Sequence, residues 1–179
     1  MNLPNKITMF RIFLIPVFIM ALLIPFPGHK WIGLIVFIVA SATDFLDGYL
    51  ARSRNLITDF GKFMDPLADK LLTSAAFICL VELQAIPSWV VIAILSREFA
   101  ITGFRTLAAS DNVVIAASKW GKAKTVSQII AIVSLLLVYA YPISFLKLFG
   151  NIMIYVALAL TVYSGYDYYR LNKDVIKSY

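Results

Sequence analysis

The chain has 179 residues, 61% of them hydrophobic and 15% charged, with a formal net charge of +6 and a mean hydropathy of +0.85. Soluble domains lie nearer to about 45–50% apolar and about 25% charged, so a separate water-soluble domain is excluded. One cysteine, Cys79, and one histidine, His29, exclude an internal disulfide framework and argue against thiolate or histidine metal sites and histidine-based triads. The positive charge is not read as nucleic-acid binding, because basic residues in so apolar a chain mark loops that face anionic lipid on the cytoplasmic side.

A hydrocarbon core of about 30 Å takes roughly 20 helical residues to cross, and the apolar runs divide the chain into six spans at 8–26, 31–51, 62–83, 88–109, 125–141 and 146–168. The first carries no cleavage-site pattern and is expected to be a retained helix, kinked at Pro16 and ended by Pro25, Pro27 and Gly28, with His29 in the following loop. The second must continue through Asp44, Asp47 and Gly48, since residues 31–43 alone rise only about 20 Å. Asp44 and Asp47 then share one helical face near its end. The third begins on the same side and places Asp65 and Asp69 on one face. The fourth carries Arg97 and Glu98 at mid-span, where an unpaired charge costs several kcal/mol. Both are expected to face the bundle interior, with different partners because adjacent helical positions diverge by about 100°. The fifth ends before Pro142, and the sixth ends in Tyr163, Tyr166, Tyr168 and Tyr169, read as an interfacial aromatic belt.

The expected fold is therefore all-α, an integral membrane bundle of six transmembrane helices forming a single domain over residues 1–179. Basic residues concentrate in alternate loops, with Lys6, Arg11, Arg52, Arg54, Lys62, Arg105, Lys119, Lys122, Lys124, Arg170, Lys173 and Lys177 on one side and only Lys30 and Lys147 on the other. The positive-inside rule makes both termini cytoplasmic.

A short connection makes the second and third helices antiparallel neighbours, able to gather four carboxylates. Four anions at a membrane edge repel one another, so they hold protons or bind cations. Oxygen-only ligands favour magnesium, manganese or calcium over zinc, and two ions would suit phosphoryl chemistry. Bland readings compete at individual positions. Asp47-Gly48 is a common turn dipeptide, Asp65 before Pro66 suits a helix N-cap, and Asp69 stands beside Lys70 as a simple ion pair.

Residues 44–52 read D-x-x-D-G-x-x-A-R and residues 61–69 read G-x-x-x-D-x-x-x-D. Together they resemble, at full spacing, the signature of the CDP-alcohol phosphatidyltransferase family, whose six-helix topology also covers the chain. The resemblance implies that Asp44, Asp47, Asp65 and Asp69 ligate two divalent ions, Mg²⁺ or Mn²⁺, and that Asp69 is also the general base. It implies that Asp44, Gly48, Ala51, Arg52 and Gly61 contact CDP-diacylglycerol, with the guanidinium of Arg52 on its pyrophosphate and the glycines admitting the nucleotide closely.

Three further stretches resemble family members whose acceptor is sn-glycerol 3-phosphate: residues 2–8 with Arg11, residues 96–98 with Arg105, and residues 119–125. They imply an acceptor phosphate site at Thr8, Arg11, Arg105, Lys119, Lys122 and Lys124, with phosphatidylglycerophosphate and CMP as products. A dianionic acceptor does need cations beside the metals, and Arg105, Lys119, Lys122 and Lys124 lie on the expected active-site side. The family further implies a homodimer in a bacterial cytoplasmic membrane, with the site on the cytoplasmic face. The rival readings are a family member with another acceptor (a cardiolipin or phosphatidylinositol-phosphate synthase), an intramembrane prenyltransferase, or a divalent-cation transporter.

Overall fold

The computed structural model describes residues 3–53, 59–110 and 119–176. These form six helices: α1 (Leu3–Leu23), α2 (His29–Ser53), α3 (Asp59–Glu82), α4 (Ser88–Ser110), α5 (Lys119–Ala140) and α6 (Ser144–Ile176). No strand occurs among the described residues. Every expected span has its helix, and most helices extend past the apolar run. Apolarity reports how much of a helix sits in hydrocarbon, whereas the backbone ladder continues into the polar boundary.

One expected local feature differs and two of the competing bland readings fail, while the expected continuation of the second helix through Asp47 and Gly48 is present. His29 opens α2 instead of lying in the loop. Asp65 is not an N-cap, because α3 begins at Asp59, and Asp47-Gly48 is no turn, because α2 runs on to Ser53. In each case the continuous hydrogen-bonded ladder overrides a dipeptide preference.

The core is built from one face of each helix, with Phe18 of α1, Phe37 of α2, Phe77 of α3, Ile94 of α4, Ile132 of α5 and Ile154 of α6 all buried. The α1–α2 seam is tight, since a Cβ placed on Gly33 would stand 2.6 Å from Leu22 Cδ2. Gly150 allows the same close approach of α6 to α5, where a Cβ would lie 2.9 Å from Leu135 Cδ2. Such small-residue contacts are how helices associate without a hydrophobic driving force. Several buried hydroxyls are satisfied within their own helices, as in Ser134 Oγ donating to Ile130 O at 2.7 Å and Thr161 Oγ1 to Ala157 O at 2.6 Å.

Large apolar side chains also cover the outside, including Phe13 at 69% exposure and Phe145 at 74%. That surface suits lipid and not water. Segments Asn5–Leu23, Trp120–Ala140 and Ser144–Lys173 are long and apolar enough to cross a membrane. The chain is a membrane protein on this ground. In α2, α3 and α4 the charged residues of the site interrupt the apolar stretch.

At one end of the bundle, Gly28 (φ +79) turns the chain from α1 into α2, a left-handed conformation that glycine adopts without strain. His29 Nδ1 lies 3.0 Å from Ala21 O, and Lys30 Nζ sits 4.6 Å from the centre of the Tyr139 ring. The chemistry-bearing residues collect at the opposite end.

Candidate active site

Helices that alternate in direction bring the start of α1, the end of α2, the start of α3, the second half of α4, the start of α5 and the end of α6 to one end of the bundle. Most of the buried polar and charged residues are there: Asn5, Thr8, Arg11, Glu98, Lys124, Gln128 and Asp167. Two adjoining clusters result.

The first joins α1 to the aspartates. Arg11, fully buried, places Nη1 2.5 Å from Asp44 Oδ1, and Thr8 donates its hydroxyl to Asp65 Oδ1 at 2.6 Å. Thr8 and Arg11 are one helical turn apart, so a single face of α1 holds one carboxylate from α2 and one from α3. The side chain of Asp44 is 43% exposed, so the carboxylate faces the polar end of the bundle while its cation lies within. Asp69, one turn beyond Asp65, accepts from Lys70 Nζ at 2.9 Å. The expected ion pair is thus formed, but Lys70 does not serve Asp69 alone.

Lys70 opens the second cluster, because its Nζ also lies 3.3 Å from Glu98 Oε2. Glu98 is 6% exposed and sits at the centre of four polar groups. Lys124 donates to its Oε1, Gln128 Nε2 stands 3.5 Å away, and Arg97 Nη1 lies 3.9 Å away. A buried carboxylate with several cations is the arrangement that burial demands of it. Arg97 takes another direction, its stem against α6, where a Cβ on Gly165 would be 3.4 Å from Arg97 Cγ. The two adjacent charges of α4 therefore serve different helices, as their angular separation requires.

Beside this cluster opens a pocket of about 380 Å³, whose lining includes Lys70, Arg97, Arg105, Lys122, Lys124 and Tyr168. Among the described residues Glu98 is the one acidic residue in the lining, so this lining is strongly cationic and suited to a small anion. Its size accommodates a ligand of several heavy atoms.

The expected site residues thus separate. Arg105, Lys122 and Lys124 line the cationic pocket, whereas Thr8 and Arg11 hold Asp65 and Asp44. Gly61 is buried in the first turn of α3. Asp47, Gly48, Ala51, Arg52 and Lys119 have helical backbone, but their surroundings lie outside the described residues. Among the described residues no three aspartate, glutamate, histidine or cysteine side chains gather as a metal cage.

Lys70 and Tyr168 are pocket residues that sequence reasoning did not select. Lys70 was visible only as a neighbour of Asp69. Tyr168 was grouped with the aromatic belt, yet it is 8% exposed while Tyr163, Tyr166 and Tyr169 are 48%, 63% and 55% exposed. Angular position was the available signal, since Tyr168 projects about 100° from Tyr169.

The family model for CDP-alcohol phosphatidyltransferase matches residues 1–163. A CDP-diacylglycerol--glycerol-3-phosphate 3-phosphatidyltransferase of Bacillus subtilis strain 168 is 48% identical, with 99% of this chain and 98% of that protein covered. Enzymes of the same name from Rickettsia bellii and Haemophilus influenzae are 40% and 37% identical, each covering 96% of this chain and 96% and 94% of their own lengths.

Proposed function

Because this chain belongs to the CDP-alcohol phosphatidyltransferase family, we propose that it transfers the phosphatidyl group of CDP-diacylglycerol to sn-glycerol 3-phosphate, releasing CMP and phosphatidylglycerophosphate. The chain is a transferase of phospholipid biosynthesis, like relatives of near-equal length that carry that activity in their names. The observation that carries the acceptor is the cationic pocket: Arg97, Arg105, Lys122 and Lys124 border a small cavity next to Lys70, which itself touches Asp69. A phosphomonoester dianion needs such a cluster, and a neutral polyol does not.

In this reading the acceptor phosphate sits among Arg105, Lys122 and Lys124, with Lys119 nearby in sequence, and its 1-hydroxyl points toward Asp69. Asp69 takes the hydroxyl proton as the oxygen bonds to the β-phosphorus of the donor. The bond from that phosphorus to the bridging oxygen breaks, and CMP leaves. Arg52 holds the donor pyrophosphate through its planar fork, Gly48 and Gly61 allow the nucleotide to lie close to the backbone, and Ala51 contacts the donor beside them. Thr8 and Arg11 act one step back, holding Asp65 and Asp44 in place.

Two divalent ions, Mg²⁺ or Mn²⁺, fit the donor chemistry of Asp44, Asp47, Asp65 and Asp69. All the ligands are hard oxygens on adjoining helices, and the described carboxylates are partly open to the polar end. When bound, such ions polarise the phosphate and neutralise the developing charge. The protein is a multi-pass, six-span enzyme of the bacterial cytoplasmic membrane with its site and both termini on the cytoplasmic side, and it works as a homodimer.

The test is CMP release by purified protein given CDP-diacylglycerol, Mg²⁺ or Mn²⁺, and a panel of acceptors. Glycerol 3-phosphate is expected to support turnover. Release with inositol phosphate or phosphatidylglycerol, but not with glycerol 3-phosphate, overturns the acceptor.

A further inference from the structure

One hydroxyl in the pocket has no work in the scheme above. Tyr168 of α6 is 8% exposed, and its Oη is buried without a hydrogen-bond partner among the described residues. A buried phenol is normally paired, because losing solvation without replacement costs more than an ordinary hydrogen bond gains. The ring cannot relieve this by turning outward. It packs edge-on against Phe104, centroids 6.2 Å apart at 87°, and joins Ala108 in a small apolar cluster. The packing therefore fixes where the hydroxyl sits, and Tyr168 lines the cationic pocket.

A second donor is left over in the same lining. Arg97 Nε is buried and also lacks a hydrogen-bond partner among the described residues. Gly165, one turn before Tyr168 on the same face of α6, provides the space in which the Arg97 stem lies. This face of α6 thus makes room for one donor and supplies another. Surplus donors match a ligand that only accepts, and a phosphomonoester dianion presents three acceptor oxygens and no donor. A polyol hydroxyl offers both.

We propose that the Tyr168 hydroxyl donates a hydrogen bond to the phosphate of the acceptor, making Tyr168 a specificity-determining residue that selects a phosphorylated over a neutral alcohol. The proposal rests on the acceptor reading above and adds to it a neutral donor from a helix outside the family signature. Such a donor distinguishes ligands by shape and hydrogen-bond polarity, which a diffuse positive charge does not.

Tyr168→Phe removes the hydroxyl and keeps the ring, so the contact with Phe104 survives. Initial rates of CMP release are measured with wild type and variant, varying glycerol 3-phosphate and CDP-diacylglycerol in turn. Inorganic phosphate serves as a competitor, and thermal unfolding checks the fold. The variant is expected to raise KM for glycerol 3-phosphate by about 10-fold or more, the scale of a lost hydrogen bond to a charged group. KM for CDP-diacylglycerol should change less than about twofold, and the inhibition constant of phosphate should rise with the acceptor KM. An unchanged KM for glycerol 3-phosphate overturns the proposal, and so does a rise confined to CDP-diacylglycerol, which would assign the hydroxyl to the donor. Wild-type protein that releases no CMP with glycerol 3-phosphate overturns the proposed reaction itself. Turnover in the wild type with an unaffected variant overturns this inference alone.

Discussion

Glu98→Gln offers the sharpest test of how the two clusters depend on each other. Glu98 is 6% exposed and Lys124 is 2% exposed, so neutralising the carboxylate leaves a buried ammonium facing an amide. Breaking a buried ion pair by removing one partner costs about 3–5 kcal/mol, most of it the stranded charge. Glutamine keeps one acceptor oxygen, and Lys70 retains Asp69 at 2.9 Å, so the lower end is expected, about 3 kcal/mol. For a chain of this length that corresponds to a fall of about 6–12 °C in the unfolding midpoint. The double variant Glu98→Gln with Lys124→Met removes both charges at similar volume and should recover most of the loss, because an apolar replacement of a buried pair is often neutral or stabilising. Thermal unfolding of wild type, both single variants and the double variant in one detergent gives the cycle. A single Glu98→Gln variant that melts within about 1 °C of wild type refutes the reasoning, as do purely additive effects.

Other outcomes follow from the same geometry. Asp69→Asn is expected to abolish CMP release in a protein that still folds, and full activity would exclude Asp69 as the base. Chelation by EDTA should silence the wild type, with Mg²⁺ or Mn²⁺ restoring it, and activity in excess chelator would count against the ions. Arg105→Ala should raise KM for glycerol 3-phosphate by roughly 10-fold, the value of one charge-assisted contact, with KM for CDP-diacylglycerol little changed. Gly33→Ala should destabilise the α1–α2 seam by about 1–3 kcal/mol, because the new Cβ meets Leu22, which is 1% exposed. Gly103→Ala, with no atom of the described residues within 4 Å of its Cβ, is the control and should melt no lower than wild type.

Much of this site was legible before any tertiary contact was known. The length of the second span required Asp44 to sit in a helix near the membrane edge, since the apolar run before it is too short to cross. The spacing of Asp65 and Asp69 put them on one face, and the mid-span position of Arg97 and Glu98 required interior partners. The two bland readings of Asp47-Gly48 and Asp65-Pro66 failed for one reason. Local dipeptide preferences amount to about 1 kcal/mol or less, and continued helix, supported by neighbouring helices, outweighs them.

Periodicity in the sequence by itself determined which residues share a helical face, and the alternation of spans determined which end of the bundle they reach. It did not determine which neighbouring helix each face meets. Nothing in the spacing of Thr8 and Arg11 tells that α1 packs between α2 and α3, where its polar face holds Asp65 and Asp44. Tyr168 was expected among belt tyrosines, yet the packing of α6 against α4 turns it into the pocket. Lys70 joins Asp69 to Glu98 only because α3 and α4 are adjacent. Pairing of helices is set by side-chain complementarity over whole surfaces, a property that no local spacing encodes, and only the tertiary structure decided it.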